Sequence, residues 1–243
     1  MMNHKITYFQ DLGLIDYKKA WDYQEKLFNE NLEKKTKNLK LPSEDKIQTK
    51  NYLLFCEHPH VFTIGKSGSE NNLLVKKEEL VSKGVTFFRI NRGGDITYHG
   101  PGQIVAYPII DLENFSLTLR KYIFKLEEAI IETLKEYEIP ASRFQSATGV
   151  WIDSELPEKA RKICAIGVRS SRWITMHGFA FNVNTDLSYY NFINPCGFTD
   201  KAVTSMEKEL GVKQNLNEVK QVLISKLVDQ FGLKYFDLKT QKC

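Results

Sequence analysis

The sequence lacks the features that define several large classes of protein. Its four cysteines, at positions 56, 164, 196 and 243, are widely separated and form no CxxC pair, which argues against a disulfide framework and a zinc site. No run approaches the roughly 18 apolar residues of a membrane-spanning helix. The first residues, MMNHKITYFQDLG, lack the apolar core of a signal peptide. We therefore expect free thiols and a cytoplasmic location.

The sequence also has little net charge and no known phosphate-binding motif. The net charge of the 243 residues is only +4, without a long run of lysine or arginine. This excess does not imply nucleic acid binding and would equally suit an acidic protein partner. Neither a GxxxxGK[ST] phosphate loop nor a GxGxxG fingerprint is present. His58 and His60 have no further ligand residues nearby in sequence, so we expect no metal.

Apolar periodicity predicts the helices. Apolar positions at three- and four-residue spacing predict an amphipathic helix from Tyr17 to Asn31. A longer apolar stripe predicts a second helix after Ser116 that ends before Pro140. The segment VKQVLISKLVDQFG predicts a third. The polar and charged residues 33–50 are typical of an exposed loop.

Short apolar segments between turn residues predict strands. They are NYLLFCE, HVFTIG, TFFRI, QIVAYPII, GVWID, KICAIGV, TMHGFAFNV and KYFDL. The mixed order of strands and helices has no internal repeat and no clear linker. It therefore predicts a single α/β domain over residues 1–243.

The densest cluster of glycines lies in NRGGDITYHGPGQ, residues 91–103. Paired glycines such as Gly93 and Gly94 let a backbone approach a ligand closely, because they carry no Cβ. Residues 100–102, Gly-Pro-Gly, favour a type II turn. So much glycine beside so many polar side chains is costly for stability alone. We therefore favour a ligand-binding loop over a plain hairpin turn.

Two other residues could carry chemistry. Lys162 opens an apolar strand, where it either reaches solvent from the strand end or lies in a pocket and acts as a base. Cys196 lies between a proline and a glycine, a context that suits a thiol presented to a substrate. Asn194 and the N–H groups near Gly197 could line an oxyanion site. On these residues alone, Cys196 is a candidate nucleophile and no more.

Together these stretches resemble the lipoyl(octanoyl) transferases, which are octanoyl-acyl carrier protein:protein N-octanoyltransferases. The resemblance extends roughly from Tyr17 to Phe231. It rests on the order of four segments, EHPHVFTIG, RGGDITYHGPGQIVAYPIIDL, KICAIGVR and MHGFAFNVNTDLSYYNFINPCG. The RGG…TYHGPGQ and INPCG elements together are very specific. The resemblance implies one α/β domain of the biotin/lipoate protein ligase type, with a central mixed β-sheet flanked by helices.

For the chemistry, the resemblance implies a two-step acyl transfer that needs no cofactor. Cys196 would take the octanoyl group from octanoyl-acyl carrier protein, with Lys162 as the catalytic lysine. The acceptor would be a lysine of a lipoyl domain of a 2-oxoacid dehydrogenase, or of the glycine cleavage H protein. Carried over position by position, the substrate-binding residues are Arg92, Gly93, Gly94, Asp95, Ile96, Thr97, Tyr98, His99, Ala165, Ile166, Gly167, Gly178, Phe179 and Ala180.

Several alternatives remain open at the level of sequence. Cys164 lies two residues after Lys162 on the same predicted strand, so its side chain would face the same side. Cys164 is therefore a second candidate thiol. An ATP-dependent lipoate–protein ligase would share the fold. A thiol hydrolase could use His99 or His177 as its base, and a non-catalytic relative could simply bind carrier proteins.

Overall fold

The computed structural model describes residues 5–145, 147–156, 158–194 and 202–238, without the side chains of Lys77 and Val81. The helices are α1 (Tyr17–Asn38), α2 (Lys77–Ser82), α3 (Leu119–Lys135), α4 (Met206–Leu210) and α5 (Leu216–Phe231). The strands are β1 (Ile6–Leu14), β2 (Asn51–Glu57), β3 (Val61–Ile64), β4 (Thr86–Arg89), β5 (Ile96–His99), β6 (Gln103–Ile109), β7 (Ser142–Phe144), β8 (Ala147–Ile152), β9 (Arg161–Ser171), β10 (Ile174–Asn182), β11 (Ala202–Val203) and β12 (Lys234–Asp237). Cys196 lies outside the described residues.

Nine of the described strands form one mixed sheet in the order β12-β1-β2-β6-β10-β9-β8-β7, with β11 paired to β9. Strand β1 runs parallel to β2 and β12, and β11 runs parallel to β9. The remaining pairs of this sheet are antiparallel. A smaller sheet, β4-β3-β5, carries the glycine-rich segment on its last strand. The mixed α/β fold with a central mixed sheet is thereby confirmed.

Helices cover both faces of the large sheet. On one face, α3 and α5 bury residues such as Leu126 and Leu223 against Phe181 of β10. On the other, α1 buries Phe28 against the side chain of Tyr107 from β6. Strands β6 and β10 are consequently buried along their whole length, and burial of each large side chain stabilises the fold by about 1.5–3 kcal/mol.

Helix α1 is longer than the apolar pattern predicted. It extends to Asn38, so the first six residues of the predicted loop, 33–38, are helical. Two asparagines, one just before the extension and one at its end, hold the helix against the returning chain. Asn31 exchanges two hydrogen bonds with the backbone of Lys50, at 2.8 and 2.9 Å, and Asn38 makes the same pair with Ile47 at 2.8 Å each. The helix end is therefore set by tertiary contacts that leave no apolar periodicity in the sequence.

Within the described ranges, no helix is both long and apolar enough to cross a membrane. The cytoplasmic location stays a prediction.

Candidate active site

A cavity of about 530 Å³ lies where the glycine-rich loop meets β9 and β10. Its volume is in the range typical of small-molecule sites. Among the described residues, the loop contributes Arg92, Gly93, Gly94, Asp95, Ile96, Thr97 and His99. The two strands contribute Lys162, Ala165, Ile166, Gly167, Val168, His177, Gly178, Phe179, Ala180 and Asn182. The remaining wall residues are Tyr17, Val105, Tyr107, Leu119, Ile123, Ala147, Thr148, Tyr190 and Val203.

Glycines let the loop lie backbone to backbone on its neighbours. The N–H of Gly93 donates to the carbonyl of Val168 at 2.9 Å, which docks the loop on β9. A Cβ at Gly167 would lie 2.9 Å from the Gly93 oxygen, and one at Gly65 would lie 2.2 Å from the Gly94 oxygen. These short distances leave no room for a side chain at position 65 or 167, which explains the glycines there.

Arg92 braces the same loop from within. Its guanidinium donates to the carbonyl of Gly93 at 2.9 Å, and to the carbonyl and hydroxyl oxygens of Thr63 at 2.8 and 3.0 Å. The residue is only 8% exposed. A lysine could not reproduce this forked set of donors.

A chain of hydrogen bonds connects the loop to Lys162. The Nδ1–H of His99 donates to Gln103 Oε1 at 2.9 Å, a tautomer assigned because the Gln103 amide donates to Asn182 Oδ1 at 2.9 Å. Asn182 Nδ2 donates to the Thr204 carbonyl at 3.0 Å. The Thr204 N–H in turn donates to the carbonyl of Lys162 at 2.9 Å. The network fixes the loop and the backbone of Lys162 relative to each other.

The histidines of this region are held neutral. Burial lowers the pKa of His99 and of His177 to about 3, with further repulsion from Arg92. Burial also lowers the pKa of His58 to about 4, although its hydrogen bond to the Ile15 carbonyl opposes the shift. Groups that protonate so far below neutral pH are weak general bases. In the described ranges, no group of three or more His, Cys, Asp or Glu side chains could hold a metal ion.

Cys164 does not line the cavity with Lys162, so the prediction that the two side chains share one side of β9 is wrong. Cys164 is fully buried in the core beneath α3, and burial raises the pKa of its thiol. Lys162 instead lies in the cavity wall, with its ammonium over the ring of Trp151. A protonated thiol without access to the cavity is not a nucleophile.

The described residues on either side of Cys196 are connected to the cavity wall, the first indirectly and the second directly. Before it, the N–H of Asn194 donates to the Asn72 carbonyl at 2.8 Å, and the Asn72 side chain donates to Asp95 in the cavity wall. After it, Val203 of β11 pairs with Lys162 and itself lines the cavity. The chain before Cys196 is thus tied to the cavity wall through Asn72, and the chain after it contributes Val203 to that wall.

The cavity wall contains every predicted substrate-binding residue except Tyr98. Tyr98 is buried on the other side of β5, where its hydroxyl lies 2.7 Å from His60 Nδ1. Several wall residues, among them Tyr17, Tyr107 and Tyr190, were not assigned from the sequence. Tyr17 begins the predicted first helix and Tyr190 lies within a quoted motif, but neither position alone indicates that the side chain faces a cavity.

The model of one protein family, the lipoyl protein ligase A/B catalytic domain, matches residues 16–228. The chain belongs to this family. It is similar to the octanoyltransferase of Christiangramia forsetii, with 56% identity over 237 residues that cover 96% of this chain and 100% of the relative. It is also similar to the octanoyltransferase of Cytophaga hutchinsonii, with 53% identity over 230 residues that cover 95% and 94%. The chain is an enzyme of the acyltransferase class, as the sequence motifs implied.

Solved structures share the fold at low sequence identity. One is a putative lipoate protein ligase from T. acidophilum with bound lipoic acid, with a TM-score of 0.65 and 15% identity, over 96% of this chain and 88% of that one. Another is a lipoate-protein ligase A bound with ATP, with a TM-score of 0.66 and 14% identity, over 96% and 87%. The ligase-type fold is therefore confirmed.

Proposed function

We propose that this enzyme transfers an octanoyl group from octanoyl-acyl carrier protein to a lysine of lipoyl domains, through a thioester on Cys196. The observation that carries the proposal is the cavity that brings together the glycine-rich loop, Lys162 and Val203, which follows the Cys196 segment and pairs with Lys162. The relatives described above, which carry the name octanoyltransferase, support the acyl group. The acceptors are the lipoyl domains of 2-oxoacid dehydrogenases and the glycine cleavage H protein.

The reaction balances without an energy source. The Cys196 thiolate attacks the thioester carbonyl, a new thioester forms, and the carrier's sulfur leaves as a thiol with a proton from the Lys162 ammonium, which becomes a neutral amine. The acceptor amine then attacks the acyl-enzyme, the amide bond forms, and the Cys196 thiolate leaves. Lys162 favours the thiolate in the first step and takes a proton from the amine in the second. Exchange between thioesters is nearly neutral in free energy and the amide is more stable, so no ATP is required.

The wall of the cavity suits an eight-carbon chain. Ala165, Ile166, Phe179 and Ala180 offer apolar surface to such a chain. Each buried methylene contributes about 0.8 kcal/mol to binding. The acyl chain would lie along β9 and β10, with its carbonyl carbon toward Lys162.

Two alternatives from the sequence lose support. Cys164 is sealed in the core, which disfavours it as the thiol of the acyl-enzyme and supports Cys196 in that role. A thiol hydrolase would need a histidine base, but the pKa values of His99 and His177 are both lowered to about 3. Lys162 remains as the basic side chain suited to the second step.

The test is incubation with octanoyl-acyl carrier protein in the absence of ATP, followed by mass spectrometry of the intact protein and its peptides. One octanoyl group should appear on Cys196, and addition of a lipoyl domain should move it onto a lysine of that domain. Cys164→Ala is the matched control and should retain both steps, whereas Cys196→Ala should form no acyl-enzyme. Lys162→Ala should slow both steps.

Three results would contradict the proposal. A label on Cys164 would overturn the nucleophile, and an absolute requirement for ATP would favour a ligase. Release of free octanoate without an amide product would favour a hydrolase.

A further inference from the structure

The side chain of Lys162 rests on an aromatic ring. Its ammonium nitrogen lies 4.7 Å from the ring centroid of Trp151. A cation within about 6 Å of a ring face is attracted by the negative potential of that face, and tryptophan gives the strongest attraction. Trp151 is only 1% exposed, so water screens this attraction little.

The ring itself is held in place. Trp151 pairs directly with Lys162 across β8 and β9. Its indole N–H donates to the carbonyl of Ala147 at 3.3 Å, and its ring packs against Phe144 with centroids 5.0 Å apart. Trp151 is therefore a fixed surface under the ammonium.

A buried carboxylate holds the chain just before Trp151. Glu127 of α3 accepts the N–H of Gly149 at 3.0 Å and is paired with Arg143 at 3.0 Å. Gly149 has a φ of +123°, and a Cβ there would lie 2.5 Å from the carbonyl oxygen of Cys164 and 3.6 Å from Lys162 Cδ. The pairing of β8 with β9 shifts register immediately after, between Val150 and Trp151. This local geometry brings the ring opposite Lys162.

We propose that Trp151 is a positioning residue for Lys162, which it holds at the cavity wall by cation–π attraction. The inference rests on the proposed role of Lys162 in octanoyl transfer. The ring restricts the ammonium to one place, so that the proton it gives or takes is exchanged at a defined distance from the acyl carbonyl. The backbone is fixed independently through Thr204, and the ring acts on the end of the side chain.

Fluorinated tryptophans test the attraction without changing the shape of the ring. Fluorine withdraws electron density, so mono- to tetrafluorotryptophan should weaken the hold on the ammonium stepwise. We expect the turnover rate of octanoyl transfer to fall roughly three- to tenfold across the series, at constant KM for the lipoyl domain and constant melting temperature. A Trp151→Phe enzyme labelled in the same way is the matched control. Its rate should not depend on fluorination, because only Trp21 and Trp173 carry the label.

A second measurement reads the contact directly. After reductive methylation with ¹³C-formaldehyde, the ring current of Trp151 should move the Lys162 methyl resonance upfield of those of exposed lysines. Trp151→Leu should abolish this shift, and Trp173→Leu, the same change at an exposed tryptophan, should leave it intact. A rate independent of fluorination in the wild-type enzyme, or a Lys162 resonance among those of exposed lysines, would overturn the proposal. If the enzyme forms no acyl-enzyme at all, the transfer function fails, and the resonance still decides whether the ring holds the ammonium.

Discussion

Replacement of Gly167 by alanine should separate the glycine-rich loop from β9. The new Cβ would lie 2.9 Å from the Gly93 oxygen and 3.0 Å from Arg92 Cδ, where ordinary contact begins at 3.4 Å. The loop must therefore retreat by about 0.5 Å, which strains the 2.9 Å hydrogen bond from Gly93 to Val168. Overpacking of this kind costs about 1–3 kcal/mol of unfolding free energy. Because the loop forms one wall of the cavity, we expect octanoyl transfer to slow by about tenfold or more.

Urea unfolding followed by tryptophan fluorescence measures the first quantity, and mass spectrometry of an octanoylated lipoyl domain measures the second. Gly84→Ala is the matched control. Gly84 has a φ of +67°, and a Cβ added there would meet no atom within 4 Å, so alanine costs about 1–2 kcal/mol through the backbone alone. It should keep full transfer activity. If Gly167→Ala matches the wild type in both stability and transfer, the close packing of the loop on β9 is wrong.

Two further predictions concern buried side chains that can carry charge, the histidines and Arg92. The pKa of histidine in the unfolded chain is near 6.5, whereas the pKa values of His58 and His99 in the folded protein are lowered. The unfolded state therefore binds more protons below pH 6.5. The stability that is present above pH 6.5 is consequently lost as the pH falls toward 4. Each of the two histidines should lower the free energy of unfolding by about 2 kcal/mol between pH 7 and pH 5. A His99→Gln variant should lose less stability over this range, and a urea midpoint that falls as steeply as that of the wild type would contradict the prediction. Arg92→Lys should reduce kcat/KM for transfer by about tenfold or more, because the single ammonium nitrogen of a lysine cannot reach Gly93 and Thr63 as the two guanidinium nitrogens do. The exposed Arg89→Lys should change little, and equal effects of the two changes would refute the bracing role.

The apolar segments predicted strands well where burial is continuous. NYLLFCE coincides with β2, and QIVAYPII and TMHGFAFNV lie on β6 and β10, which are buried on both faces. Strand β1 was missed. Its segment, ITYFQDLGL, is only partly buried, and its place in the sheet depends on pairing with β2 and with the distant β12. Such pairing has no local signal.

The motifs in the sequence determined the family, the glycine-rich loop and the candidate pair Lys162 and Cys196, because chemistry at a site restricts residue type at fixed positions. They did not decide whether the Cys164 thiol reaches the cavity, or which side of β5 faces it. Tertiary packing decided that Cys164 is sealed in the core while Lys162 rests on Trp151. It also placed Tyr98 behind the wall that the rest of the loop forms. Contacts between residues far apart in the chain set the side of the sheet to which each of these side chains points. A one-residue change of strand register reverses that side.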